Sequence, residues 1–210
     1  YINEKDTPNI YKMFQERPEI KAASVAPDGH IYTLPGLKEF MPDYIENVMF
    51  INKKWLAKVG MEVPTTLPEL TEVLRAFNEK DPNGNGKADE IPMSFCPASS
   101  SDYPEALLSS WGVATKFGTW DSWLTVQKGE VKFTPIMKEW KQMLEYYRDL
   151  YAEGLLDYEV FTQTGDQYTA KNQSPTSIVG VAWSNSNPML NEDEYITIPP
   201  LSADGKIKPV

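Results

Sequence analysis

The chain has 210 residues, 41% of them apolar, which is enough for one large domain or for one domain and part of another. Its formal net charge of −10 argues against nucleic acid as a partner, because that binding rests on lysines and arginines that neutralise phosphates. A single cysteine, Cys96, excludes an internal disulfide and a thiolate zinc site, the single histidine, His30, falls in the turn Asp28-Gly-His-Ile31, and no run approaches the roughly 18 apolar residues of a membrane span.

The chain begins Tyr1-Ile-Asn-Glu4 without a basic and then apolar leader, and reads as a mature or excised segment. Thr7-Pro8 opens a short helix: Thr7 caps it, and Pro8 suits the first helical position, where its missing N–H is not needed. Ile10, Met13 and Phe14 form its apolar stripe, and Pro18 is expected to stop it. Ala26-Pro-Asp-Gly29 reads as a turn and Ile31 to Leu34 as a short strand. Ile45 to Ile51 is an apolar run of the kind that forms a buried strand. Asn52 can cap a helix from Lys53 to Val59, which Gly60 ends. Thr66-Leu-Pro-Glu69 is a capping box, and Leu67, Leu70, Val73, Leu74 and Phe77 follow helical spacing behind it.

That helix runs into Asp81-Pro-Asn-Gly-Asn-Gly-Lys-Ala-Asp-Glu-Ile-Pro92. Asp81, Asn83, Asn85 and Asp89 stand two or four residues apart, with Glu90 next. Gly86 is sixth from Asp81, where a calcium loop makes its sharp turn. The loop opens like an EF-hand but does not finish like one, since Pro92 takes the place of the bidentate carboxylate. The expected ligands are Asp81, Asn83, Asn85, the main-chain oxygen of Lys87, Asp89 and Glu90, around a structural calcium rather than magnesium, which rarely gets a dedicated protein cage. The plainer alternative is a solvated Asn-Gly turn between a helix and a strand.

Ile91 to Phe95 reads as a strand, Ala106 to Trp111 as helical, and Trp123 to Val126 with Glu130 to Phe133 as a hairpin about Gln127-Lys-Gly129. The longest helix is expected over about Ile136 to Glu153, with Trp140 on its apolar face. A weaker one follows over Gly165 to Asn172, then strands over Ser177 to Trp183 and Tyr195 to Ile198. Short strands alternating with longer helices predict an α/β layer fold with some antiparallel pieces.

In order and spacing, several segments resemble one family, the extracellular solute-binding proteins (family 1) of ABC importers, of the oligosaccharide-binding type. The carrying segments are Asp28-Gly-His-Ile-Tyr-Thr-Leu-Pro35, Met49-Phe-Ile-Asn-Lys-Lys-Trp-Leu56, Val63-Pro-Thr-Thr-Leu-Pro-Glu-Leu70, Tyr151-Ala-Glu-Gly-Leu-Leu-Asp157 and Ile198-Pro-Pro-Leu201. The loop is similar to the calcium loop of alginate-oligosaccharide-binding members. The resemblance implies an α/β fold of the periplasmic-binding-protein-like type II class, mainly the second lobe with part of the first. Residues 1–48 would be the tail of the first lobe and the hinge approach, 49–199 the second lobe with the loop 81–92, and 200–210 a returning hinge segment. It also implies a monomer located outside the cytoplasm, as a cell-surface lipoprotein or periplasmic protein, that docks on ABC permease membrane subunits.

Sugars present apolar C–H faces and a rim of hydroxyls, met by aromatic rings and planar polar groups in a cleft, which in open α/β sheets lies at the carboxyl ends of strands. Two strand ends carry such residues: Trp183-Ser-Asn-Ser186, giving Trp183, Ser184 and Asn185, and Ser99-Ser-Ser-Asp-Tyr103, giving Asp102 and Tyr103. Trp120 and Trp123 flank Asp121 in a polar stretch, and Tyr32 precedes Leu34-Pro35. In maltose-binding relatives a tryptophan after the strand matching 177–183 stacks on sugar, so the resemblance puts Trp183 first; a core tryptophan closing the sheet is its alternative. For function, the first expectation is a carbohydrate-binding receptor without catalysis. A glycoside-active enzyme would need two carboxyl groups about 5–9 Å apart, and no spacing among Asp102, Glu105 and Asp121 fixes that. A calcium-stabilised interaction module is the third reading.

Overall fold

The computed structural model describes residues 2–34, 48–97, 104–114, 123–184 and 193–210. The chain divides into two compact units, Tyr1–Tyr44 and Ile45–Val210.

The first unit holds α1 (Pro8–Glu16) and α2 (Pro18–Ser24). Pro18 does end α1, but it also occupies the first helical position of α2, where a residue without an N–H is at no disadvantage. The expected strand at 31–34 is absent, and Tyr32 and Leu34 are exposed. A strand needs a partner for its N–H and C=O groups, and none pairs with this stretch among the described residues. The turn at Ala26 forms as expected, with Gly29 N–H donating to the Ala26 carbonyl at 2.8 Å.

The second unit is built on a four-stranded sheet of β1 (Val48–Asn52), β2 (Ile91–Ser94), β5 (Val179–Ser184) and β6 (Tyr195–Thr197), in the order β2-β5-β1-β6. β2 runs parallel to β5, while β1 runs antiparallel to both β5 and β6. The carboxyl ends of β2, β5 and β6 therefore meet at one edge, beside the start of β1. One face of the sheet places Met49, Ile51, Val181 and Trp183 in the main core with side chains of α3 (Lys53–Val59), α4 (Leu67–Glu79) and α5 (Lys138–Ala152). The other face carries Phe50 and Ala182 against Tyr168 of α6 (Gly165–Asn172) and Tyr195. Helices thus cover both faces, the layered α/β arrangement that buries a sheet on each side.

Local signals in the sequence account for both ends of α3 and the start of α4, whereas Thr7, expected to cap α1, makes no side-chain bond to that helix and donates its hydroxyl to the Asn3 carbonyl instead. Asn52 accepts from Lys54 and Trp55 N–H, and Gly60 closes α3 at φ 75°. Thr66 accepts from Glu69 N–H while the Glu69 carboxylate accepts from Thr65 and Thr66 N–H; these bonds hold that carboxyl below its usual range, the Thr65 N–H contributing most. β3 (Leu124–Gln127) and β4 (Glu130–Phe133) form the expected hairpin, turned by Lys128 and Gly129 at positive φ. Its cross-strand pairs Leu124–Phe133 and Val126–Val131 face solvent, whereas Thr125 is buried.

Gly180 in β5 has no room for a side chain. A Cβ on Gly180 would stand 2.5 Å from Phe77 Cδ2 and 2.8 Å from the Pro92 carbonyl oxygen, which belongs to the neighbouring strand and cannot retreat. Gly180→Ala is therefore expected to cost about 1–3 kcal/mol, as overpacked core substitutions do, and to lower the urea midpoint without changing the slope. An unchanged midpoint would show that β2 and α4 yield freely.

Candidate functional site

The edge where β2, β5 and β6 end carries a pocket of about 500 Å³. Val48 and Met49 of β1, Trp183 of β5, residues 197–201 after β6, Val210, and Ala106, Leu107, Ser109 and Ser110 of a 3-10 segment (Pro104–Trp111) line it. Ser109, Ser110 and Thr197 are the polar side chains in a wall that is otherwise apolar. Its volume is in the range of pockets that take small ligands, and its place at strand carboxyl ends is where open α/β sheets hold them.

Trp183 lies in this wall, 4% exposed and paired in register with Met49. Its carbonyl accepts from the buried Tyr168 hydroxyl at 2.6 Å, so α6 fixes the end of β5. The indole Nε1–H is buried and has no acceptor among the described residues. Ser184 follows it, buried at the strand end. Ser110 Oγ is also buried and has no partner among the described residues. Trp123 is half exposed, its ring 5.3 Å from that of Trp140, which is itself partly buried rather than fully in the core as its spacing suggested. Tyr32 belongs to the first unit; its hydroxyl bonds the Asp28 carboxylate, which that bond holds below its usual range. The candidates Asn185, Asp102, Tyr103 and Trp120 lie outside the described residues.

Sequence reasoning missed Ser110 and the stretch 197–201 as pocket residues. The signal available was Pro199-Pro200, which ends β6 abruptly and sends the chain along the sheet edge. Glu105, at the start of the 3-10 segment, has a buried carboxylate oxygen without a partner among the described residues, and burial pushes its carboxyl above the usual range.

The loop 81–92 is coiled on its own side chains. Asp81 Oδ1 accepts from Gly84 and Asn85 N–H at 2.9 and 3.2 Å, and Oδ2 from Gly86 N–H at 3.1 Å. Asn83 and Asn85 each accept from the N–H two residues on, at 2.9 and 2.8 Å. Asp81 sits at φ 43°, and Gly86, at φ 76°, makes the sharp turn without a Cβ to oppose it. The Asn83 and Asn85 amide groups donate to the Asp89 carboxylate at 2.9 and 3.0 Å, and these two bonds hold its pKa below the usual range. Glu90 stands opposite in character: burial first, then the charges of Asp81 and Asp89, push its carboxyl up, and its Oε1 is buried without a partner among the described residues.

Among the described residues no three His, Cys, Asp or Glu side chains converge as a ready-made metal cluster. The donors of the loop are instead mixed: the carboxylates of Asp81, Asp89 and Glu90, the amides of Asn83 and Asn85, and the Lys87 carbonyl. All are oxygen donors, the set that suits a hard cation, and the orphaned Glu90 oxygen beside two other carboxylates is the group such an ion would satisfy.

A buried polar network braces the other side of β2. Asp157 Oδ2 accepts from Ser94 Oγ and from Lys171 Nζ, both at 2.7 Å. Lys171 Nζ also reaches Gln163 Oε1 at 2.9 Å and Glu159 Oε2 at 2.8 Å. Gln163 Nε2 returns to the Phe95 carbonyl at 2.8 Å.

No family model matches the chain. Over 205 residues it is 36% identical to the fructooligosaccharide ABC transporter substrate-binding protein FusA of Streptococcus pneumoniae, a match covering 95% of this chain and 37% of that protein. Its fold is similar to that of a solved HMO-binding, ABC-transporter-associated solute-binding protein from Bifidobacterium longum infantis: the TM-score is 0.85 at 37% identity, over 96% of this chain and 43% of that one. The S. pneumoniae protein in complex with kestose superposes with a TM-score of 0.84 at 35% identity, over 98% of this chain and 42% of that one. An EF-hand mutant of it with fructo-nystose gives 0.83 at 34% identity, with the same coverage. The chain thus spans between 37% and 43% of the length of these relatives.

Proposed function

The chain is a homologue of the substrate-binding proteins of ABC transporters, and from that premise we propose that it forms most of one lobe of an oligosaccharide-binding importer component. The observation that carries this is the coincidence of two features. The relatives that match nearly all of this chain are sugar-binding transport proteins, and the pocket stands at strand carboxyl ends with an indole in its wall. Trp183 would supply the ring face for a sugar, with Ser184, Asn185, Asp102, Tyr103, Trp120, Trp123 and Tyr32 as the further candidates for hydroxyl and ring contacts.

In this reading the protein binds and hands over its ligand without breaking bonds. It works outside the cytoplasm, as a lipoprotein or periplasmic protein, and meets the permease subunits as a monomer. No helix among the described residues is long and apolar enough to cross a membrane. The loop 81–92 would hold a calcium ion through Asp81, Asn83, Asn85, Lys87, Asp89 and Glu90. That a relative's solved structure is described as an EF-hand mutant supports a calcium-type loop in this family. The ion would fix the joint between α4 and β2 and supply no chemistry to the pocket.

Calorimetry with fructo-, galacto- and manno-oligosaccharides tests the reading. The expected result is saturable heat with no new reducing ends in the spent sample. Release of reducing ends would replace the receptor by a glycoside-active enzyme, and absence of heat with every oligosaccharide would remove the sugar altogether.

A further inference from the structure

β2 and β5 run parallel, and their last paired residues are Ser94 and Ala182. One residue further on, the carbonyl of each strand is taken by a side chain from a single short segment, Gln163–Tyr168. Gln163 Nε2 donates to the Phe95 carbonyl at 2.8 Å, and the Tyr168 hydroxyl donates to the Trp183 carbonyl at 2.6 Å. That hydroxyl also stands 3.4 Å from the Ser94 carbonyl, so it sits between the two strands. The Cys96 thiol adds a weaker bond to the Gln163 carbonyl at 3.6 Å. Gln163 and Tyr168 are buried, at 4% and 1% exposure. The capping box of α6 fixes their spacing: Thr164 accepts from Gln167 N–H, and the Thr164 carbonyl accepts from Tyr168 N–H. Where the β2–β5 ladder stops, a helix cap takes over its bonding.

This is the edge that carries the pocket, and the sequence candidates Asn185, Asp102 and Tyr103 follow these two strands along the chain. The last backbone groups of a strand open more readily than its middle. A ligand that meets a loose edge must order it, and its affinity falls by that amount. We propose that Gln163–Tyr168 is a clamp, and that Gln163 and Tyr168 are positioning residues for the oligosaccharide. Buried as they are, they touch no sugar; they hold the ends of β2 and β5 at one separation before it arrives. This rests on the oligosaccharide-binding reading above and adds the residues that keep its edge in shape.

Tyr168 carries the sharper test, because its ring belongs to the cluster of Phe50, Ala182 and Tyr195, while its hydroxyl makes the bond to the strand end. Tyr168→Phe is compared with Gly180→Ala, a change in the same strand but away from the edge. Both are titrated by calorimetry with whichever fructo-, galacto- or manno-oligosaccharide gives the wild-type chain its strongest heat. Tyr168→Phe is expected to weaken binding about five- to tenfold, the scale of one buried hydrogen bond, and Gly180→Ala to leave affinity within about twofold. Without sugar, amide hydrogen exchange in peptides covering residues 94–96 and 182–184 is expected to quicken in Tyr168→Phe, and saturating sugar to restore the wild-type rate. Melting curves confirm that both variants fold. Affinity unchanged in Tyr168→Phe, or weakened equally in the two variants, makes the bond a structural one only; it overturns the inference and leaves the receptor reading intact. Exchange that does not quicken without sugar, or that sugar does not restore, overturns it as well. A wild-type chain that gives no heat with any of these oligosaccharides overturns the receptor reading and the inference with it.

Discussion

Chelation is expected to lower the melting temperature of a calcium-loaded chain by about 5–10 °C, and Asp81→Ala is expected to abolish the difference. The size follows from mass action. An ion bound only by the folded state at a hundredfold excess over its dissociation constant adds about 2.7 kcal/mol, and about 2–4 °C accompanies each kcal/mol in a domain of this size. Asp81 is the residue to remove because both its oxygens organise the coil, accepting from Gly84, Asn85 and Gly86 N–H. The Asn83 and Asn85 amides donate to Asp89, a weaker neutralisation than a divalent charge, and Glu90 Oε1 is buried without a partner among the described residues. A bound divalent cation would serve both carboxylates at once. Equal melting with and without chelator, on protein shown by elemental analysis to contain calcium, would refute the structural role.

The second large effect lies in the network behind β2. Lys171→Met is expected to destabilise the second unit by about 3–5 kcal/mol, read as a fall in the urea midpoint. Lys171 and Asp157 have side chains only 15% and 5% exposed, so removing the ammonium leaves a carboxylate in the interior with Ser94 as its remaining side-chain donor. Methionine matches the stem of lysine in length, which isolates the charge from the packing. The double change Lys171→Met with Asp157→Leu should recover a good part of the loss, because two apolar groups need no mutual compensation. If the double variant is as unstable as Lys171→Met alone, the loss comes from packing or from the Gln163 and Glu159 contacts rather than from the stranded charge.

What was legible in the sequence is what is decided within a few residues. Asn52, the Thr66–Glu69 box, Gly60 and the Lys128-Gly129 turn act on backbone groups two to four positions away, and each forms as read. Pro18 shows the limit of such signals: the same residue that ends α1 begins α2, and both outcomes obey the same missing N–H. The strand expected at 31–34 failed for a different reason, since pairing is a property of two segments and sequence alone shows only one. Likewise the spacing of apolar residues put Trp140 on the inner face of α5, but how deep it sits depends on Trp123, which comes from the hairpin. For the candidate site, the ligand spacing of the loop was visible, whereas the turning of its two amides toward Asp89 was not. The indole of Trp183 was visible too; Ser110 and residues 197–201, which share its pocket, come from other parts of the chain and meet it only through the sheet order.

That sheet order bears on how such a protein can change over generations. Ser94 lies beside Ala182, Ser184 beside Val48, and the carbonyl of Met49 bonds Ile198, so three segments remote along the chain leave the ladder within a residue or two of one another. A substitution in any of them alters the surroundings of the other two. Selection acting at this edge would therefore work on correlated sets of residues, with each change conditional on the last.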